Sequence, residues 1–261
     1  MKTVRMFGVS VADVTLIEAT EWLSTMAQKK ETRIVFTANT EAIVLMRSNE
    51  EFRNAYSAAD YVLADGMPLV WFSRLICVAL PERVTGSDLL PEICRMAEKK
   101  SLKVFFLGGT PGVTPKAVEN LQKRFPALQV AGIATPWIDL SDSESLSSDL
   151  VESINQSDAD ILFVGFGAPK QEVWITRNRK RLKTGIVLAV GGTFDFLAGK
   201  TIRAPLWMQR SGLEWLWRLL HEPKRLWKRY LIGNVRFLKI AWIEWKRWGA
   251  SRNSRDPSDL G

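Results

Sequence analysis

Histidine is nearly missing from this chain of 261 residues: His221 is its single instance. Histidine-based acid–base work in the body of the protein is thereby excluded, and a carboxylate has to act wherever a proton must be taken up. Cysteine is almost as scarce. Cys77 and Cys94 sit in apolar, helix-period contexts, read as plain core residues and suit a reducing compartment, so the cytosol is the expected side. Long apolar runs are missing too. The best stretch, Leu231 to Trp245, is interrupted by Arg236, Lys239 and Glu244 and falls short of the roughly 20 apolar residues that a membrane span needs. Met1 to Val14 lacks a basic region followed by a continuous apolar stretch, so no signal peptide is expected. No G-x-G-x-x-G opens the first βα turn and no G-x-x-x-x-G-K-[ST] occurs, which removes the two common nucleotide fingerprints.

Positive charge and tryptophan, by contrast, are plentiful and concentrated. Lys200 to Gly261 holds 14 Lys and Arg against 5 Asp and Glu, and 7 of the 11 Trp; the preceding residues are almost neutral, so the net charge of +8 belongs to one segment. Cationic stretches with Trp and Leu lie in the headgroup zone of a bilayer, where each Lys or Arg near an anionic leaflet contributes about 1 kcal/mol. A protein that lies on a membrane without crossing it is the expectation. Two other uses of the segment stay open. Lys, Arg and Trp also suit nucleic acid, although the Leu, Ile and Trp content from Leu206 to Trp248 is high for such a face, and no nucleic-acid partner is expected. The helices could equally pack on the core or on another subunit, and a homo-oligomer is compatible with the sequence.

At 46% apolar composition the chain can bury a sizeable core. From Arg33 to Gly192, short apolar runs alternate with helix-period segments, the pattern of βαβ units and a parallel sheet. The runs Arg33 to Phe36, Tyr61 to Ala64, Lys103 to Leu107, Gln129 to Gly132, Ile161 to Gly165 and Ile186 to Val190 are the expected strands, with Val4 to Val14 adding a hairpin or edge strand. Ser87 or Asp88 reads as a helix cap, Thr114 before Pro115 as a helix start, and Asp139 to Asp149 as a loop entering another helix. Beyond Arg203, Ala204 to His221 and Pro223 to Trp248 read as two amphipathic helices divided at Glu222-Pro223. The fold class is thus α/β, a Rossmann-like and mostly parallel sheet with flanking helices plus a basic amphipathic helical appendage. The expected division is residues 1–200 as the α/β core, 201–250 as a membrane-docking appendage and 251–261 as a frayed tail.

In an open parallel sheet, ligands sit beyond the carboxyl ends of the strands. The residues there are Thr37-Ala-Asn39, Asp65-Gly66, Gly108-Gly109-Thr110, Gly165-Phe-Gly167-Ala-Pro169-Lys170-Gln171-Glu172 and Gly191-Gly192-Thr193-Phe194-Asp195. The Gly108-Gly109 pair lets backbone amides approach a pyrophosphate, so a nucleotide or nucleotide sugar is the expected ligand. Asp65, at a strand end and followed by Gly66, is the best placed base, with Asp195 as its rival; either could instead be a helix cap. A departing nucleoside diphosphate needs positive charge, which a metal ion usually supplies. The one D-x-D match, Asp158-Ala-Asp160, precedes its strand, so a metal-free mechanism is expected, with no metal site and no cofactor, and with Arg83, Lys170 or an appendage arginine as counter-charge.

The chain resembles the WecG/TagA/CpsF family of glycosyltransferases. The stretches that carry the resemblance are Thr37-Ala-Asn39-Thr-Glu41, Ala64-Asp65-Gly66-Met67-Pro68, Arg83-Val-Thr85-Gly86-Ser87-Asp88, Phe106-Leu107-Gly108-Gly109, the Gly165 to Glu172 run, Gly191 to Phe196, and Arg203-Ala-Pro205 through Gly212-Leu-Glu214-Trp215, Arg218, Glu222-Pro223, Arg225 and Arg229-Tyr230. The resemblance implies an inverting, metal-independent transfer of an N-acetylmannosamine-type sugar from a UDP donor to the 4-hydroxyl of polyprenyl-diphosphate-linked N-acetylglucosamine, at the cytoplasmic face of the membrane. UDP-glucose and the uronic acid of N-acetylmannosamine are alternative donors, and the product would enter teichoic acid or another surface polysaccharide. It further implies Asp65 as general base, a pocket lined by Thr37, Asn39, Arg83 and Gln171, and appendage arginines Arg218, Arg225 and Arg229 in the active site. A nicotinamide-dependent oxidoreductase on the same fold is disfavoured by the missing dinucleotide fingerprint.

Overall fold

A computed structural model describes the backbone of residues 2–140 and 144–253, and their side chains apart from 144–146, 225, 229 and 251–253. The strands are β1 (Thr3–Met6), β2 (Val9–Ala12), β3 (Arg33–Ala38), β4 (Tyr61–Ala64), β5 (Lys103–Gly108), β6 (Gln129–Ala134), β7 (Ile161–Gly165) and β8 (Ile186–Ala189). They form one sheet in the order β1-β2-β4-β3-β8-β7-β5-β6. Among the described residues only the β1–β2 hairpin is antiparallel; its turn residues Phe7 and Gly8 both have positive φ, the geometry that a two-residue hairpin favours. All six strands expected from the apolar runs are present, and the Val4 to Val14 stretch is the hairpin.

Helices α1 (Leu16–Ala27), α2 (Thr40–Ser48), α3 (Glu50–Ala58), α4 (Met67–Leu75), α5 (Gly86–Lys99), α6 (Val113–Arg124), α7 (Glu144–Gln156), α8 (Lys170–Asn178) and α9 (Thr193–Leu197) cover both faces. The central strands β7 and β8 are therefore buried and apolar throughout, and the alternation of side chains along the strands separates two cores. Ile34, Phe36, Leu107, Leu162 and Val187 pack with Ile43, Phe52, Leu69, Phe72 and Trp174 of α2, α3, α4 and α8. Val35, Leu63, Phe106, Phe163 and Leu188 pack with Leu23, Leu89, Ile93, Leu121 and Phe194 of α1, α5, α6 and α9. From β3 the chain steps outward to β4 and from β5 it steps outward to β6 on the other side. Connections that leave in opposite directions open a crevice at the carboxyl rim.

Several local expectations are corrected. The cap of α5 is Thr85, whose Oγ1 accepts from Asp88 N at 3.2 Å; Ser87 and Asp88 lie in the first turn, where Asp88 accepts from Thr85 Oγ1 at 2.8 Å. Helix α6 begins at Val113, and Thr114 turns inward to donate to the Gly108 carbonyl at 2.6 Å. Cys94 is buried, but Cys77 is exposed in the turn that ends α4, at φ +60, and is no core residue.

Among the described residues the appendage is four helices and not two: α10 (Leu206–Arg210), α11 (Glu214–His221), α12 (Pro223–Trp227) and, after a π-helical turn at Lys228–Ile232, α13 (Gly233–Asn253). The first break is set by Gly212. Its φ is +69, and a Cβ there would fall 2.5 Å from the Trp71 indole, so the chain turns at the one residue that can lie flat against that ring. Helix α13 then lies along α2. Its Phe237 is buried against Phe7, which in turn meets Phe72 at 4.4 Å between ring centroids, and Glu244 accepts from Phe7 N at 3.2 Å. The apolar face of this basic helix is thus divided: Phe237, Ile240, Ala241 and Trp248 pack on the core, while Val235, Leu238, Trp242 and Trp245 stay exposed. Among the described residues no helix is long and apolar enough to cross a membrane.

Candidate active site

The site grows from the ends of the adjacent strands β3 and β4. Asp65 follows β4 directly, and its N–H donates to the Ala38 carbonyl at 2.7 Å, which fixes it beside the end of β3. Thr37 Oγ1 donates to Asp65 Oδ2 at 3.3 Å, while the Thr37 carbonyl accepts from Tyr56 Oη at 2.9 Å. Asn39 Oδ1 accepts from Ala42 N at 3.0 Å and caps α2, and the residue lines the cavity. Val84 N donates to the Ala64 carbonyl at 2.7 Å and brings the Arg83 to Ser87 segment alongside.

Arg83 joins the core to the appendage. It donates to Glu214 Oε2 at 3.0 Å and to Gln209 Oε1 at 2.9 Å, and stands 3.6 Å from Asp88. Arg203 enters the same cluster from the appendage, donating to Asp88 Oδ1 at 2.6 Å and lying 3.7 Å from Glu214. Burial draws the Asp88 carboxyl upward, but the Arg203 hydrogen bond and charge, with Thr85 and Arg83, outweigh it and hold Asp88 below the usual range. Asp65 behaves oppositely. Burial, reinforced by the Glu214 charge, pushes its carboxyl up to about 6 against the pull of Arg83 and the Thr37 hydrogen bond. A carboxylate of that basicity is ionised at neutral pH yet accepts a proton readily.

Asn39, Asp65, Arg83, Gln209 and Glu214 line a cavity of about 1150 Å³ that runs between α2, α4 and the appendage. Of the residues singled out in the sequence, Asn39, Asp65, Arg83 and Arg218 line it, and Thr37 reaches it through Asp65. Arg218 lays its guanidinium over the Phe196 ring at 5.5 Å, and its buried Nε has no protein partner. Arg225 and Arg229 fall on α12 and the π-helical turn; their side chains lie outside the described residues.

The remaining candidates form a second sector of the rim. Gly108 packs on Gly165 so closely that a Cβ would fall 2.8 Å from the Gly165 carbonyl carbon, and Gly109 N donates to Gly165 O at 2.9 Å. Gln171 Oε1 accepts from both Gly167 N and Gly191 N, at 3.2 and 3.0 Å, tying the turns after β7 and β8 together. Its amide donates to Glu172 at 2.9 Å, a buried carboxyl pushed up to about 7 by desolvation. Lys170 donates to the Ile138 carbonyl at 2.8 Å and covers the Trp137 ring, and Asp195 pairs with Lys200 at 3.3 Å. Gly108, Gly109, Lys170, Gln171 and Asp195 are not among the lining residues of the cavity. Ser87 and Thr193, with hydroxyls 3.3 Å apart, bridge the two sectors.

Sequence reasoning left Glu214, Gln209, Arg203 and Asp88 out of the site. Three of them lay inside stretches that carried the family resemblance, which was the available signal. The Arg203–Asp88, Arg83–Gln209 and Arg83–Glu214 pairings span 115 to 131 residues of chain, beyond any local pattern. Among the described residues no group of three or more His, Cys, Asp or Glu side chains is placed to hold a metal ion.

Comparison with known proteins bears on this cleft. A 208-residue alignment, 80% of this chain and 78% of the other, is 31% identical to an N-acetylglucosaminyldiphosphoundecaprenol N-acetyl-beta-D-mannosaminyltransferase of Bacillus spizizenii. The Staphylococcus aureus protein of the same description is 30% identical over 239 residues, 91% of this chain and 89% of its own length. The model of the "Glycosyl transferase WecG/TagA/CpsF family" matches residues 4–251. Matched over nearly its whole length, the chain belongs to the WecG/TagA/CpsF family of glycosyltransferases.

Proposed function

We propose that this glycosyltransferase moves an N-acetylmannosamine-type sugar from a UDP donor to the 4-hydroxyl of N-acetylglucosamine on a polyprenyl diphosphate, with inversion and without a metal ion. The observation that carries the reading is Asp65: a carboxylate raised to about 6, held by Thr37 at the floor of a cleft that the appendage closes. Asp65 takes the proton of the acceptor hydroxyl as its oxygen attacks the anomeric carbon from the face opposite the nucleotide. The bond from that carbon to the diphosphate oxygen breaks, its electron pair leaves with UDP, and the configuration inverts. Arg218, which lines the cavity and whose buried Nε has no protein partner, is placed to meet diphosphate charge, with Arg225 and Arg229 carried over from the family resemblance; Arg83 serves to set the basicity of Asp65 and to hold α10 and α11 in place. Exposed Trp242 and Trp245, with Lys246 at 3.8 Å over the Trp242 ring, suit an anionic membrane surface, on the side where UDP-sugars are available.

A donor screen read by mass spectrometry tests this. The purified chain is given a prenyl-diphosphate N-acetylglucosamine acceptor and UDP-N-acetylmannosamine, UDP-glucose or the uronic acid donor, with and without chelator. Transfer of N-acetylmannosamine that survives chelator and yields an inverted linkage supports the reading. A strict divalent-metal requirement or a retained configuration would overturn it.

A further inference from the structure

The cavity has two ends of different chemistry. Beside the sheet it is polar, with Asn39, Asp65, Arg83 and Glu214. Away from the sheet it runs out between α4 and the start of α13, where Trp71, Leu75, Leu231, Ile232, Val235 and Leu238 form its walls. These side chains are left open: Leu75 is 56% exposed, Val235 67% and Leu238 65%. Single exposed apolar residues are ordinary, but six converging on one channel from α4, the π-helical turn and α13 mark a binding surface. The volume, about 1150 Å³, is also more than the few hundred to ~1,000 Å³ of a site for one small ligand.

We propose that this apolar end binds the first isoprene units of the acceptor's polyprenyl chain where it leaves the diphosphate. The inference rests on the polyprenyl-diphosphate acceptor of the proposed function. The chemistry of the cavity follows that of such a molecule: a sugar hydroxyl at Asp65, diphosphate charge against Arg218 and Lys228, which also line the cavity, and hydrocarbon between α4 and α13. A second copy of the chain seated here would cover the mouth of the same cavity and shut the acceptor out. Trp242 and Trp245, which continue the same stripe of α13 two turns further along, do not line the cavity and are left to meet bilayer acyl chains.

The test uses acceptors with one, two and three isoprene units, at concentrations below micelle formation and without vesicles or detergent. The wild-type kcat/KM should climb about tenfold per added unit, the effect of burying about two methylenes' worth of each. In Leu75→Ser/Val235→Ser, both sites being exposed and the fold checked by its melting curve, the climb should flatten to about twofold or less per unit. Binding of the matching prenyl diphosphates, read from tryptophan quenching, should show the same contrast. A wild-type rate independent of chain length, or a climb unchanged in the variant, would overturn the inference while leaving the transferase reading in place. A variant that alters the sedimentation coefficient and keeps the climb would assign the face to a second copy. Failure of every acceptor to receive sugar would remove the proposed function itself, and absence of length-dependent prenyl diphosphate binding would then remove the channel as well.

Discussion

Replacing Asp65 with asparagine should remove activity and raise stability together. The folded chain shifts this carboxyl from 3.8 to about 6, which at 1.36 kcal/mol per pKa unit corresponds to about 3 kcal/mol. The sign follows from proton affinity. Folded Asp65 holds its proton more tightly than unfolded Asp65, so ionisation destabilises the fold, and the cost grows as pH rises from about 4 to about 6 and is constant above. Water in the cavity screens part of the effect, leaving roughly 2 kcal/mol, or about 4–8 °C in melting temperature for a chain of this size. An asparagine side chain retains an acceptor for Thr37 Oγ1 and carries no charge, so Asp65→Asn should melt higher than wild type by that amount at pH 7.5. The gap should close at pH 4, where the wild-type carboxyl is protonated. Calorimetric melts at both pH values measure it, and initial rates of UDP release should fall about 10²- to 10⁴-fold, the usual contribution of a general base. A variant that melts no higher at pH 7.5, or by an equal margin at pH 4, would refute the assignment of Asp65 as a desolvated base.

Arg83→Gln removes the charge that lowers the Asp65 pKa, so the acid limb of kcat/KM against pH should move to higher pH. It also leaves Glu214 and Asp88 short of a partner, and the melting curve should show a loss of about 3 kcal/mol. Gly212→Ala places a methyl group against Trp71 at a positive φ, and a loss of about 2 kcal/mol or more, with faster proteolysis between α10 and α11, is expected. Removing residues 200–261 uncovers Phe7 and Phe72 where Phe237 now packs. The truncated chain should bind a hydrophobic dye and lose most transfer to a lipid-linked acceptor; full activity would contradict a role for the appendage in the site.

Much of this protein was legible in its residues because the relevant physics is local. Strands buried on both faces must be continuous apolar runs, so Tyr61–Ala64 and Ile161–Gly165 could be read to the residue. Parallel order places the turns that follow them on one rim, and the scarcity of histidine leaves a carboxylate as the expected base. Thr85 was missed as a cap because Ser87 and Asp88 are equally good cap residues, and only the chain path after Val84 chooses among them.

Residue order was enough for the α/β class, the rim of glycines and polar residues, and the concentration of charge and tryptophan at one end. How these meet was settled by the packed chain alone. Packing broke the appendage at Gly212, where Trp71 leaves no room for a side chain, and laid α13 along α2 through Phe237. It gave Arg83 partners more than a hundred residues away, and made Asp65 basic by burying it beside Glu214. Pairings across such distances depend on how the layers stack, and no periodicity within either segment encodes them.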